Sequence, residues 1–271
     1  MRILSFVLCF CLLSGSAVLA ADTDISNSLE GKKTALEAKG MDSNILDSFS
    51  EEEVNKLYDT IFVYHNGEVN VSATQEVIVK NFPENTDNET RGAISESQLT
   101  LTLTKAPITS GSQVIQFLLI VDYYWNVTPG NLSDDLVAVN WDSSVFSFDD
   151  TAYYEVTNYV KNVSNGQYYP FNFQSTPKKA AAGGLGFEAK LRNPDLSPKV
   201  TANPNGNAFI YFVPRTSMYV GDDITCNFSV EYGHNSWGLG GLSFSVGYGG
   251  ASVGISGASL DTLAKIVTFR P

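Results

Sequence analysis

Hydrophobic and polar positions follow two different periods along the chain, and the period changes near Ile61. Before that point, apolar residues recur at helical spacing. ISNSLEGKKTALEAKG (25–40) ends at a glycine suited to a helix C-cap. In SFSEEEVNKLYDTI (48–61), Ser50 and Glu53 have the spacing of a capping box. The pattern predicts an acidic helical segment over residues 21–60.

From Ile61 onward the hydrophobic period is two, which is typical of β-strands. The dipeptide Asn66-Gly67 is a type I′ turn signal, and it predicts a hairpin in which Tyr64 faces Val69. Further strands are predicted at 98–104, 113–127, 135–141, 152–160, 167–173, 184–191, 207–213, 223–232 and 262–269.

No recurring helix separates these strands, and polar turn clusters lie between them. The arrangement predicts a mainly β fold, an antiparallel β-sandwich of about ten to twelve strands. Residues 61–271 are expected to form this domain. KKAAAGG (178–184) is either a flexible joint or a long loop within it.

An uncharged stretch, GGLSFSVGYGGASVGISG (240–257), predicts one more hairpin, with Gly249-Gly250 as its turn. One face carries Ser and Gly. The other is apolar and consists of Leu242, Phe244, Val246, Tyr248, Val253 and Ile255. A β-hairpin in a membrane has such faces. Apolar and small polar residues alternate strictly only from 242 to 248, however, and this stretch is shorter than the roughly 9 to 11 residues of a membrane-spanning strand.

The first residues, MRILSFVLCFCLLSGSAVLAAD, combine Arg2 with an apolar run at 3–13 and small residues up to Ala20. This is the layout of a secretory signal peptide over residues 1–20, and it predicts a secreted, extracellular protein. The net charge of −12 argues against nucleic acid as a partner and against docking on anionic lipid by charge.

Few residues are available for metal or redox chemistry. Two of the three cysteines lie in the predicted signal peptide, and Cys226 alternates with apolar residues, which predicts a core position. With only two histidines and one cysteine outside the predicted signal peptide, the composition argues against a His/Cys zinc site, because catalytic zinc sites generally take three protein ligands. We expect no metal, no cofactor and no catalytic constellation.

Three tyrosine doublets lie in predicted strands. Adjacent residues of a strand point to opposite faces, so each doublet sends one ring inward and leaves the other available for a sugar or a protein surface. His234 and Trp237 follow an amphipathic strand. The candidate binding residues are therefore Tyr124, Tyr154, Tyr169, His234 and Trp237. Glycosylation sequons occur at Asn70, Asn88, Asn126, Asn131, Asn162 and Asn227.

The helix SEEEVNKLYD, followed by the strands GLGFEAKL, NAFIYFV and VEYGH, resembles uncharacterised secreted proteins of Gram-positive bacteria. The resemblance implies an extracellular β protein and no particular activity.

Three functions are compatible with these patterns. The first is a secreted, non-enzymatic β-sandwich protein that binds a surface glycan or protein. The second is a β-pore-forming toxin that inserts the 242–257 hairpin into a membrane. The third is a secreted hydrolase that uses a pair of carboxylates and is assisted by His234. The sequence contains 29 acidic residues that could provide the pair.

Overall fold

The computed structural model describes residues 28–80, 99–129, 132–149, 155–197, 201–235, 241–246, 252–257 and 260–271. These residues divide into two compact units, one extending to Ala73 and one running from Thr74 to Pro271.

The first unit is mainly helical. It contains α1 (Leu29–Ala38), α2 (Ser43–Ser48) and α3 (Glu51–Tyr58). The capping box of α3 is present: Glu53 N donates to Ser50 Oγ at 3.3 Å, and Ser50 N donates to Glu53 Oε2 at 2.7 Å. Gly40, with φ of 105°, ends α1 in a conformation that favours glycine.

The predicted hairpin around Asn66-Gly67 is wrong. Both residues have the positive φ of a type I′ turn, but the chain before them, Asp59–Tyr64, is a π-helical turn that continues α3. The ring of Phe62 stacks on Tyr58 with centroids 4.6 Å apart. The two residues are four apart, so their rings meet on one face of the helix, and this contact favours its continuation through Asp59–Tyr64. The short strand β1 (Asn70–Val71) follows.

The second unit is built from antiparallel strands, which confirms the mainly β, sandwich-like fold. Its strands are β2 (Thr74–Lys80), β3 (Leu99–Ser110), β4 (Gln113–Trp125), β5 (Asp135–Trp141), β6 (Phe146–Phe148), β7 (Glu155–Asn162), β8 (Tyr168–Gln174), β9 (Lys179–Ala181), β10 (Gly184–Ala189), β11 (Thr201–Pro214), β12 (Cys226–Asn235), β13 (Ser243–Val246), β14 (Val253–Ser256) and β15 (Leu260–Phe269). Residues 179–181 and 184–189, at and beyond the expected joint, pair with each other as β9 and β10.

Two sheets enclose one core. The first sheet has the order β2-β3-β4-β11-β7-β8, with β6 also paired to β11, and the second has the order β15-β12-β5-β10-β9. Phe117 of the first sheet stacks on Phe228 of the second, with ring centroids 4.9 Å apart. Cys226 is fully buried in this core, as predicted.

Candidate binding site

Tyr124 lies on the outward face of the first sheet, because alternation along β4 sends the neighbouring ring of Tyr123 into the core. Tyr124 is half-buried and pairs across the sheet with Thr100 of β3 and Asn205 of β11. Asn205 in turn pairs with Tyr159 of β7. Directly paired residues share a face, so these polar and aromatic side chains form one row across four strands.

Tyr168 of β8 reaches this row from the far edge of the sheet. Its hydroxyl donates to the hydroxyl of Tyr124 at 3.2 Å. Strands β11 and β7 lie between β4 and β8, and three strand spacings amount to about 14 Å. Both side chains must therefore extend along the sheet surface toward each other. We call this pair, Tyr124 and Tyr168, the tyrosine bridge.

The tyrosine bridge keeps exposed ring surface and its protons. Tyr168 is 38% exposed. Partial burial, and then the hydrogen bond to Tyr124, raise the pKa of Tyr168 above its ordinary value of 10.0. The hydroxyl thus remains a donor at neutral pH. Lys161 pairs with Tyr168 across β7 and β8, and its Nζ lies 5.9 Å from the centroid of the Tyr168 ring, within cation–π range.

The sequence predicted Tyr124 and Tyr169 as binding residues, but the structure joins Tyr124 to Tyr168 instead. Tyr169 follows Tyr168 in the strand and has a separate set of partners. Its hydroxyl accepts from Asn165 Nδ2 at 2.7 Å and lies 3.2 Å from Gln167 Oε1. Tyr169 is still 37% exposed, so it offers a second, independent aromatic surface. Tyr154 and Trp237 lie outside the described residues.

His234 lies in the core and not on the surface. It is 1% exposed, and its Nδ1 is 2.8 Å from Asp135 Oδ1. Its ring packs against Trp125 with centroids 4.8 Å apart. A side chain so deeply buried presents no surface to a glycan, and these partners do not include a nucleophile for the imidazole to activate.

The carboxylate of Asp135 is also bonded to Tyr232, whose hydroxyl donates to Oδ2 at 2.7 Å and accepts from Trp125 Nε1 at 3.0 Å. Burial, reinforced by the charge of Asp135, raises the pKa of Tyr232 well above its ordinary value. Asp135, Tyr232, Trp125 and His234 form a buried polar network, in which strongly directional contacts specify one packing of the core.

The predicted 242–257 hairpin is present, with Phe244 paired to Ile255 and Val246 to Val253. Phe244, Val253 and Ile255 pack on the second sheet, against the buried side chains of Leu136 and Ala138, whereas Val246 is 43% exposed. The serine face is exposed. Tyr248 and the predicted turn lie outside the described residues, and Leu242 is partly buried in the same cluster.

The second sheet provides space and hydrogen bonds for this hairpin. A Cβ on Gly186 would lie 2.4 Å from Phe244 Cε1, so the ring occupies space that only glycine leaves open. Asn140 holds the hairpin by two hydrogen bonds. Its Nδ2 donates to Val253 O at 2.9 Å, and its Oδ1 accepts from Val253 N at 2.7 Å.

Among the sequons, Asn70, Asn126 and Asn227 are exposed and Asn162 is half-buried. Asn88 and Asn131 lie outside the described residues. Within the described ranges, no group of three or more His, Cys, Asp or Glu side chains is arranged to hold a metal ion. In the same part of the chain, no helix is long and apolar enough to cross a membrane.

No protein-family model matches the chain, and no curated protein matches it. The KRT10-binding region domain of a pneumococcal serine rich repeat protein is 13% identical, with a TM-score of 0.25; the match covers 60% of this chain and 87% of that one. A structure with manganese lipoxygenase of Gaeumannomyces graminis and part of zonadhesin of Komagataella pastoris is 12% identical. That match covers 73% and 79% of the two chains, with a TM-score of 0.26.

A third solved structure, AvmM, which catalyses macrocyclization in alchivemycin A biosynthesis, is 16% identical. It covers 58% of this chain and 82% of its own, with a TM-score of 0.21. TM-scores this low do not establish a shared fold, and none of the three structures contributes to the functional argument.

Proposed function

We propose that this chain is a secreted, non-enzymatic binding protein and that the tyrosine bridge is its contact surface for a glycan. The observation that carries the proposal is the hydrogen bond between Tyr124 and Tyr168, which lays two tyrosine side chains along the outward face of one sheet. The predicted signal peptide supports an extracellular location.

Rings that lie along a sheet suit a sugar better than most other partners. The apolar face of a pyranose stacks on an aromatic ring, while phenolic hydroxyls bond the hydroxyls at the edge of the sugar. Asn205, between Tyr124 and Tyr159, adds an amide that donates and accepts. The same sheet holds all of these groups on rigid strands, so little side-chain entropy is lost on binding.

A protein partner is the alternative occupant of the same face, because tyrosines also form protein contacts. The pore-forming and hydrolase hypotheses remain predictions from the sequence. The packing of Val253 and Ile255 on the second sheet, and the burial of His234, do not add support to either of them.

Glycan-array binding by the secreted chain tests the proposal. We expect Tyr124→Ala and Tyr168→Ala each to reduce binding by about tenfold or more, since loss of one aromatic anchor typically costs 1 to 3 kcal/mol. Tyr168→Phe, which keeps the ring, should retain most of the stacking. Tyr219→Ala is the matched control, because Tyr219 is 45% exposed and lies outside the bridge.

Binding to no glycan would refute the proposal. Binding that Tyr219→Ala and Tyr168→Ala reduce equally would refute the assignment to the bridge. If the wild-type chain instead captures a surface protein and the bridge variants do not, the partner is a protein.

A further inference from the structure

Lys161 lies beside the tyrosine bridge, and no carboxylate of the described residues pairs with its ammonium. Elsewhere in the second unit, Lys105, Lys178, Lys190 and Lys265 each lie within 4.0 Å of an Asp or Glu oxygen. Among the described residues, Lys161 is in no such pair; its ammonium lies over the ring of Tyr168. On a chain with a net charge of −12, this is a local positive site beside exposed aromatic rings.

Among the described residues of β4 and β7, the acidic side chains on this face are Asp122 and Glu155, and neither is close to Lys161. Asp122 pairs with Asn207 of β11, and Asn207 pairs with Thr157 of β7. Thr157 precedes Lys161 by four residues, so the row that contains Asp122 lies about 13 Å from Lys161 along the strand. Glu155 is six residues away, about 20 Å. Both separations exceed the Debye length of about 8 Å at physiological ionic strength, so these acids barely reduce the attraction of an anion to Lys161.

We propose that the ligand of the tyrosine bridge is a carboxylate-bearing saccharide, such as one ending in a sialic or hexuronic acid. This rests on the proposed function and adds the chemical class of the glycan. The sugar ring lies on the bridge, and the carboxylate pairs with Lys161 Nζ in a charge-assisted hydrogen bond. The hydroxyl-bearing end of the saccharide extends toward Asn205.

The stacked lysine is well placed for this task. Contact with the Tyr168 ring restricts the flexible side chain before the ligand arrives, so less of its conformational entropy is lost when it binds a carboxylate. The same ring that orients the ammonium also forms part of the surface on which the sugar lies.

An array of acidic glycans, each printed beside its carboxyl-reduced form, tests the proposal. The reduced form keeps the ring, the linkages and the shape but replaces the carboxylate with a hydroxymethyl group. We expect the wild-type chain to bind the acidic member of a pair about tenfold more tightly, and this preference to weaken as salt is added. Lys161→Gln should remove the preference, so that the acidic member of each pair binds no more tightly than its reduced form.

Lys179→Gln is the matched control, because Lys179 is an exposed lysine of β9 in the other sheet. It makes the same change in net charge and should keep the preference. Equal binding of acidic and reduced glycans by the wild-type chain would overturn the inference and leave the proposed function intact. So would a preference that Lys161→Gln leaves unchanged. Binding to neither form of any glycan would overturn both.

Discussion

Asp135 and His234 lie side by side in the core, with the imidazole Nδ1 2.8 Å from one carboxylate oxygen and 3.0 Å from the other. Asp135 is fully buried. It is the first residue of β5, and His234 stands near the end of β12 beside it in the second sheet. A buried carboxylate is tolerated only when polar partners surround it. Besides His234, the hydroxyl of Tyr232 donates a hydrogen bond to Asp135.

Asp135→Ala should therefore be strongly destabilising. It leaves His234 and Tyr232 buried without their acceptor, and we expect the free energy of unfolding to fall by about 3 kcal/mol. Urea unfolding followed by tryptophan fluorescence measures the change. Asp142→Ala is the control, since Asp142 is exposed and its carboxylate accepts local hydrogen bonds from Ser144; it should cost under about 1 kcal/mol. Similar losses in the two variants would contradict this account.

Cys226 should make the protein less stable in alkali. Burial raises the pKa of Cys226 from its ordinary value of 9.0 to about 11. Between these pH values the unfolded thiol has lost its proton and the folded thiol has kept it. Stability therefore falls as the pH rises from about 9 to about 11, by about 2 to 3 kcal/mol.

Unfolding free energies of wild type and Cys226→Ala, compared across this pH range, isolate the contribution of the thiol. The buried tyrosines titrate in both proteins and cancel in the difference. The variant should lose less stability over this range than the wild type. Parallel pH profiles would show that the thiol contributes nothing.

Gly186→Ala should loosen the hairpin formed by β13 and β14. The new methyl group would lie 2.4 Å from a ring carbon of Phe244, so the ring and its strand must move away. We expect a loss of about 1 to 3 kcal/mol and faster hydrogen exchange in 243–246 and 253–256. At Gly241 an added Cβ meets nothing within 4 Å, so Gly241→Ala should leave exchange in the hairpin as it is. Faster exchange in both variants would exclude the steric explanation.

Ser50→Ala should destabilise the helical unit by about 1 kcal/mol, because α3 loses its N-cap and one half of the capping box. Thermal unfolding followed by far-UV circular dichroism detects the shift. Ser50→Thr keeps the hydroxyl and should recover most of the stability. A threonine variant as weak as the alanine variant would mean that the cap does not stabilise α3.

Local patterns predicted much of this fold. The alternation in β3 and β4 indicated which side chains face the core, and Leu99, Leu101 and Leu103 are all fully buried. The register of Phe244 against Ile255 followed from a two-residue turn and an apolar face. These features depend on neighbouring residues alone, and sequence periodicity records them directly.

Features that depend on distant residues were not predictable in the same way. Tyr124 and Tyr168 meet only because β11 and β7 lie between their strands, an order that no local pattern encodes. Tertiary packing decided that contact. The segment Asp59–Tyr64 was mispredicted for a local reason: it has the composition of a strand, yet the ring of Phe62 stacks on Tyr58 within a helix that begins at Glu51.

Asn140 makes the attachment of the hairpin sensitive to chemical ageing. Its amide offers Val253 the donor and acceptor that the peptide group of a neighbouring strand would offer. Deamidation to aspartate would remove that donor and set a carboxylate against Val253 O, so attraction would become repulsion at the same distance. Accumulated deamidation would then weaken the attachment of β14 to its sheet.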